Sequence, residues 1–296
     1  MQPMKVLLAL DGFQPSLEAM ALLRRIGDVH KVRITIVSVT PTGLLAAEHL
    51  PLALDPVEDW REASVKIVDN SVSQLLADGF EASGAVLEGS PGRELASFIN
   101  EEWFDLSIVG SGRRAWLGST LLGSTRSYLL HNSPSSVLIA HRAPRDSETP
   151  RILVATDGSR GSEFGLTALT GLADPERVQI ATISVAVGAD LPPAVNAAFT
   201  GQSRADSNDD VLMERAQRQA LRAAQKLADA GFGASSGILT GSPSEAILKE
   251  IENTNADLVV VGSRGEGPLR RALMGSVSDT VVRHAPATLV GRRHPY

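Results

Sequence analysis

Residues 5–13, KVLLALDGF, reappear as RILVATDGS at 151–159, and ITIVSV at 34–39 reappears as IATISV at 180–185. Asp11 and Val39 both map forward by 146 positions. Further on, DGFEASGAVLEGSPGREL (78–95) matches AGFGASSGILTGSPSEAI (230–247), DLSIVGS (105–111) matches DLVVVGS (257–263), and LLGST (121–125) matches LMGSV (273–277), all at an offset of 152. A repeat of this length constrains the fold more than any single motif, because one pattern has to build the same core twice. The 296 residues are therefore expected to form two domains, 1–143 and 149–296. They are joined by HRAPRDSETP (141–150), whose two prolines and few apolar side chains suit a linker. The six-residue difference between the offsets falls in the second half, between its second strand and Gly231-Phe232.

Each half alternates short β-branched runs that end in Asp or Gly with longer segments of helical period, the pattern of βαβ units and a doubly wound parallel sheet. In the second half, strands are expected near 151–156, 179–185, 235–239, 257–261 and 287–291, with helices near 161–172, 209–230, 243–254 and 275–284. The helix over 209–230 places Leu212, Ala216, Ala220, Ala223, Leu227 and Ala230 on one face, with Glu214, Arg218, Arg222 and Lys226 off it. Ser242-Pro243-Ser244-Glu245 reads as a capping box with proline at the first helical position. Ser90-Pro91 repeats the start without the glutamate.

Composition removes several function classes. A net charge of −6 and a pI near 5.6 leave no basic footprint for a nucleic-acid backbone or an anionic membrane. The absence of cysteine excludes disulfides, thiolate nucleophiles and thiolate metal centres, in keeping with a reducing compartment. The apolar run after Lys5 is too short for a signal-peptide core, and no run approaches the ~18 residues of a membrane span. A cytoplasmic protein is expected.

The segment VVVGSRGEGPLRRALMGSVSDTVV (259–282) passes from a strand, through glycines and a basic stretch, into a helix that opens at Gly-Ser. A Walker-type loop is absent, since the chain has no G-x-x-x-x-G-K-[ST]. The dinucleotide fingerprint also fails: Gly110 and Gly112 are followed by Ala115, and Gly265 and Gly267 by Arg270. What remains is G-x-x-G-x9-G-S, made of Gly262, Gly265, Gly275 and Ser276. Glycines at a strand end let a backbone turn or a ligand approach, and a helix N-terminus presents unpaired N–H groups to phosphate. The bland alternative is a tight turn after a buried strand.

This spacing, after the fourth strand of a repeated α/β unit whose first strand ends in Asp, resembles the ATP-binding motif of the universal stress protein family, and the resemblance covers nearly the whole chain as two tandem domains. It implies, for each domain, a five-stranded parallel sheet with four helices of the adenine nucleotide alpha hydrolase-like class. The two domains would be related by a pseudo-twofold axis. It further implies nucleotide between the first and fourth strand ends: Asp157 beside the adenosine, the backbone near Val185 at the adenine, and Gly262, Gly265, Gly275 and Ser276 around the phosphates. ATP is the implied ligand, with Mg²⁺ accompanying the triphosphate.

The first half offers Asp11, Val39, Gly110, Gly123 and Ser124 at the matching positions, but Arg113 replaces the glycine equivalent to Gly265. If the loop needs positive φ there, Arg113 is strained, although an arginine also suits phosphate. Phe13 stands where the second half has Ser159. A structural reading accompanies each residue: Asp11 and Asp157 are placed to cap the following helix, and His131 and His284 to meet the negative ends of theirs. No catalytic triad, paired carboxylates or metal cluster is legible, and Glu266 is the one acidic residue of the second loop. The family resemblance therefore implies a nucleotide-dependent stress-response regulator acting through conformation or a protein partner. A slow ATP hydrolase or a phosphotransferase onto Ser276, and a scaffold binding AMP or a cyclic nucleotide, are the alternatives. The resemblance also implies that SVLIA (136–140) and TLVGR (288–292) lie at the sheet edges and pair, either between the two halves or in a homodimer.

Overall fold

The computed structural model describes residues 2–42, 56–111, 124–143, 148–187, 208–263 and 274–292. The chain divides into two units, Met1–Pro144 with Gly171–Asp174 and Arg292–Tyr296, and Arg145–Thr170 with Pro175–Gly291. The first unit runs β1 (Met4–Ala9), α1 (Gln14–Ile26), β2 (Val32–Thr40), α2 (Pro56–Ala77), β3 (Glu81–Glu88), α3 (Pro91–Glu102), β4 (Leu106–Gly110), α4 (Ser124–Asn132) and β5 (Ser136–Ala140). The second repeats it as β6 (Arg151–Ala155), α5 (Arg160–Leu172), β7 (Gln179–Ala186), α6 (Asn208–Asp229), β8 (Ala234–Thr240), α7 (Pro243–Thr254), β9 (Leu258–Gly262), α8 (Ser276–His284) and β10 (Ala287–Gly291). The six-residue excess of the second half thus falls in the interval between Ala186 and Asn208.

Within the first unit the strands lie in the order β3-β2-β1-β4-β5, and within the second β8-β7-β6-β9-β10, every pair parallel. Central strands are buried on both faces and read as unbroken apolar runs, as in Leu258–Gly262, whereas β3 and β8 at the outer edges carry exposed small and polar residues. An aspartate before the fourth strand locks it to the first strand in both units. Asp105 Oδ2 accepts the Lys5 N–H at 2.8 Å and its own N–H returns to the Lys5 carbonyl at 2.9 Å. Asp257 does the same with Arg151, at 2.9 and 2.8 Å.

The helices follow their stripes with small departures. Along α6, Ala216, Ala220, Ala223 and Leu227 are buried and Glu214, Arg218, Arg222 and Lys226 exposed, as the periodicity requires, but Ala230 falls beyond the helix end and is exposed. The capping box is corrected in one respect. Ser242 is the N-cap and Pro243 the first helical residue, yet the Ser242 hydroxyl makes no capping bond; the helix starts on the Ser242 carbonyl, which accepts the Ala246 N–H at 2.9 Å. Helix α7 ends on Asn255 at φ 50°, a left-handed residue that asparagine tolerates, while the matching end of α3 places Trp103 at φ 59°.

Two glycines set the distance between helix and sheet. A Cβ on Gly291 would lie 2.1 Å from the Gly165 nitrogen and 2.3 Å from the Gly161 carbonyl, both backbone atoms of α5. A Cβ on Gly110 would lie 2.4 Å from the Pro15 carbonyl carbon at the start of α1. Gly291→Ala is therefore expected to cost about 2–3 kcal/mol by forcing α5 off the sheet. Gly233→Ala meets nothing within 4 Å and is expected to be neutral or slightly stabilising. Urea denaturation of the two variants beside the parent checks the contrast.

Candidate functional site

Because all strands of a unit run the same way, their carboxyl ends share one edge of the sheet. In the second unit the chain steps from β6 outward to β7 and β8, then returns to the other side of β6 with β9, so the strand order reverses between β6 and β9. Such a reversal opens a crevice where the two following loops part. Val154 pairs with Val260 and Ala155 with Ile183, which brings Asp157 level with Val185 and within one residue of Gly262 on three adjoining strand ends. Asp11, Val39 and Gly110 hold the matching places in the first unit, where Ala9 pairs with Val37 and with Val109.

The turn after the first strand is the same in both units. Asp157 Oδ1 accepts the Ser159 N–H at 3.0 Å, and Asp11 Oδ1 accepts the Phe13 N–H at 3.1 Å. The intervening Gly158 and Gly12 both sit at φ +75°, where a side chain would be strained. The two aspartates therefore close the turn ahead of the helix, each on the N–H of the N-cap residue, and do not themselves cap the helix as the sequence suggested. The helix starts then differ. Ser159 caps α5, its Oγ accepting the Ser162 N–H at 3.3 Å, whereas Phe13 at the head of α1 contributes no side-chain cap and is 39 % exposed. Asp157 is half-buried and Asp11 exposed.

The loop after β9 is closed at its base. The Gly275 N–H donates to the Ser263 carbonyl at 2.9 Å, and Ser278 Oγ donates to the Gly262 carbonyl at 2.6 Å. Gly275 is the N-cap of α8, at φ −75° and ψ 152°. Two details of the sequence reading change. The helix begins at Ser276 rather than at Gly275, and the Gly275 N–H is consumed within the loop instead of facing a ligand. The first intrahelical bond runs from the Asp279 N–H to the Gly275 carbonyl, 2.9 Å. Helix geometry then leaves the N–H groups of Ser276, Val277 and Ser278 without intrahelical acceptors at the positive end of the dipole. The one carboxylate of that first turn, Asp279, is held by Arg283 at 2.8 and 3.1 Å, which offsets its repulsion for an anion. Ser276 is exposed.

Gly265, Arg113 and Gly123 lie outside the described residues, as do Glu266 and the loop arginines; Ser124 opens α4. The two histidines read as helix-end residues act as such: His131 Nδ1 lies 2.6 Å from the Ser127 carbonyl and His284 Nδ1 2.8 Å from the Thr280 carbonyl. His141 is half-buried, with Nε2 3.4 Å from Arg126 Nη1. Among the described residues no group of three or more His, Cys, Asp or Glu gathers as a metal site, and no helix is long and apolar enough to cross a membrane.

Three residues at the site escaped the sequence reading. Ser278 locks the loop base, and at the matching place of the first unit stands Arg126, 4 % exposed. Gln219 of α6 donates from Nε2 to the Asp157 carbonyl and accepts the Ser184 hydroxyl at 2.9 Å. The 152-residue offset aligns Ser278 with Arg126 and Gln219 with Ile67, so the repeat shows where the halves differ, though not what Ser278 and Gln219 bond. Replacing Asp157 separates its structural role from any role toward a ligand. Asp157→Ala is expected to lose about 1 kcal/mol of stability with the turn bond, and Asp157→Asn, which keeps an acceptor oxygen, less than about 0.5 kcal/mol. Chemical denaturation in the absence of nucleotide measures both.

A model of the universal stress protein family matches residues 3–141 and again 148–290. A universal stress protein of Mycolicibacterium smegmatis is 25% identical over 289 residues, covering 95% of this chain and 94% of its own. Universal stress protein MJ0531 of Methanocaldococcus jannaschii is 30% identical over 143 residues, 47% of this chain and 81% of its own. Among solved structures, a universal stress protein from Archaeoglobus fulgidus superposes with a TM-score of 0.65 at 21% identity, covering 99% of this chain and 97% of that one, a likeness of fold. With the family model matched once in each half and a relative spanning nearly the whole length, the chain belongs to the universal stress protein family, as a tandem of two of its domains.

Proposed function

We propose that the second half binds an adenine nucleotide, with ATP as the ligand, and that the protein acts as a stress-response regulator whose conformation or partner affinity follows nucleotide occupancy. The observation that carries this reading is the start of α8. Three N–H groups without intrahelical acceptors stand at the end of β9, beside the strand-order reversal and one strand away from Asp157. Phosphates would lie on that helix start, with Gly262 and Gly265 leaving room for them and the Ser276 hydroxyl within the same turn. The nucleoside would reach across to Asp157 and to the backbone at Val185. Mg²⁺ would be carried by the phosphate oxygens and water.

The first half is the lesser site in this reading. It keeps Asp11, Val39, Gly110, Gly123 and Ser124, but Arg113 replaces the middle glycine and Phe13 the capping serine. Glu266 is the one acidic residue that the second-half loop offers to activate water, in keeping with binding and release as the working cycle rather than rapid hydrolysis.

Protein purified without added nucleotide and then denatured is expected to release ATP, close to one equivalent per chain, identified by chromatography and mass spectrometry. Gly275 has an extended backbone open to any residue, so Gly275→Val is expected to fold normally. Its side chain at the mouth of the cradle is expected to weaken ATP at least about tenfold, roughly 1.4 kcal/mol, by calorimetry. No release, together with no calorimetric binding of ATP or AMP, would overturn the reading.

A further inference from the structure

The two units grip the turn after the first strand in different ways, and the difference lies on the helix that follows the second strand. In the second unit the Gln219 side chain leaves α6 between the buried Ala216 and Ala220 and lies against Gly158. A Cβ on that glycine would sit 3.0 Å from Gln219 Nε2 and 3.2 Å from its Cγ. The amide spends both of its ends. Nε2 donates to the Asp157 carbonyl at the end of β6, and Oε1 accepts the hydroxyl of Ser184, a β7 residue only 2 % exposed. One side chain therefore ties the loop that carries the Asp157 carboxylate to the strand that carries Val185.

In the first unit the matching residue is Ile67. Its Cδ1 stands 2.7 Å from where a Cβ on Gly12 would be, so the same glycine is covered from the same helix. Ile67 offers neither a donor to the Asp11 carbonyl nor an acceptor to Ser38, although Ser38 is buried at the place of Ser184. Both aspartate turns thus have the same shape, and the second alone is bonded to its neighbouring strand through this helix position.

We propose that Gln219 is a positioning residue for the nucleoside end of the second-half site, holding Asp157 and the β7 end at Val185 in a fixed relation before a ligand arrives. The inference rests on the nucleotide reading above. Its physical basis is preorganisation: a ligand that touches two strand ends loses affinity when it has to bring them into register itself. Ile67 covers the turn without that coupling, so the first half would present a looser pair.

The test uses the full chain, with Gln219→Met, which removes both hydrogen bonds at nearly constant length, and Gln219→Ile, which copies the first half. ATP and AMP are titrated by calorimetry, and thermal unfolding is followed without ligand. Both variants are expected to melt within a few degrees of the parent and to weaken ATP and AMP by a common factor of about tenfold, the two hydrogen bonds' combined effect. The common factor marks the nucleoside end, whereas Gly275→Val, at the phosphate end, is expected to penalise ATP more than AMP. A parent that binds neither nucleotide overturns the nucleotide reading and this inference with it. A parent that binds ATP beside Gln219 variants of equal affinity overturns the inference alone, as does a loss confined to ATP.

Discussion

Parallel strands cannot be joined by a tight turn, and the rest of this structure follows from that restriction. Each strand has to be left at its carboxyl end and re-entered at its amino end, so a helix must cross back over the sheet every time. All carboxyl ends then lie along one edge, and the loops that leave them are the loops that meet. The strand order reverses between β6 and β9, and between β1 and β4, so the loops that carry Asp157 and Asp11 leave the sheet away from those after β9 and β4. Buried apolar runs such as Val259, Val260 and Val261 stabilise the sheet from both faces, and the aspartate clamps at Asp105 and Asp257 hold the fourth strand in register with the first.

Against this common frame the two halves have diverged where the chemistry would be. Ser159 caps a helix that Phe13 leaves uncapped. Ser278 ties the base of the loop through the Gly262 carbonyl, and Arg126 occupies its place in the first unit. Gln219 hydrogen-bonds where Ile67 packs. Ser159 and Ser278 stand at helix starts, and Gln219, in the middle of α6, reaches the turn after β6 with its side chain, so that both units keep the same strand order. A duplicated chain can keep one core and still carry two unlike sites.

The glycines at the strand ends have a more ordinary part of their explanation in packing. Gly110 and Gly291 let a helix backbone approach a strand to within the radius of a missing methyl group. Gly275, by contrast, has a backbone that any residue adopts and is held by the Ser263 carbonyl. Glycine there is not required by φ.

The repeat, the alternation of strand and helix, and nearly every element boundary in the second half were legible in the sequence, because they depend on short-range periodicity and on side chains whose preference is local. The start of α7 at Ser242-Pro243 belongs to the same class. The missing capping bond at Ser242, the use of the Gly275 N–H inside the loop and the exposure of Ala230 were not legible, since each depends on which of several close partners a group meets once the chain is packed. Gln219 shows the limit most clearly. On the helix its sequence position is one polar residue beside an alanine stripe. Only the tertiary structure, by bringing α6 over the ends of β6 and β7, decides that its amide bridges two backbone segments about sixty and thirty-five residues away.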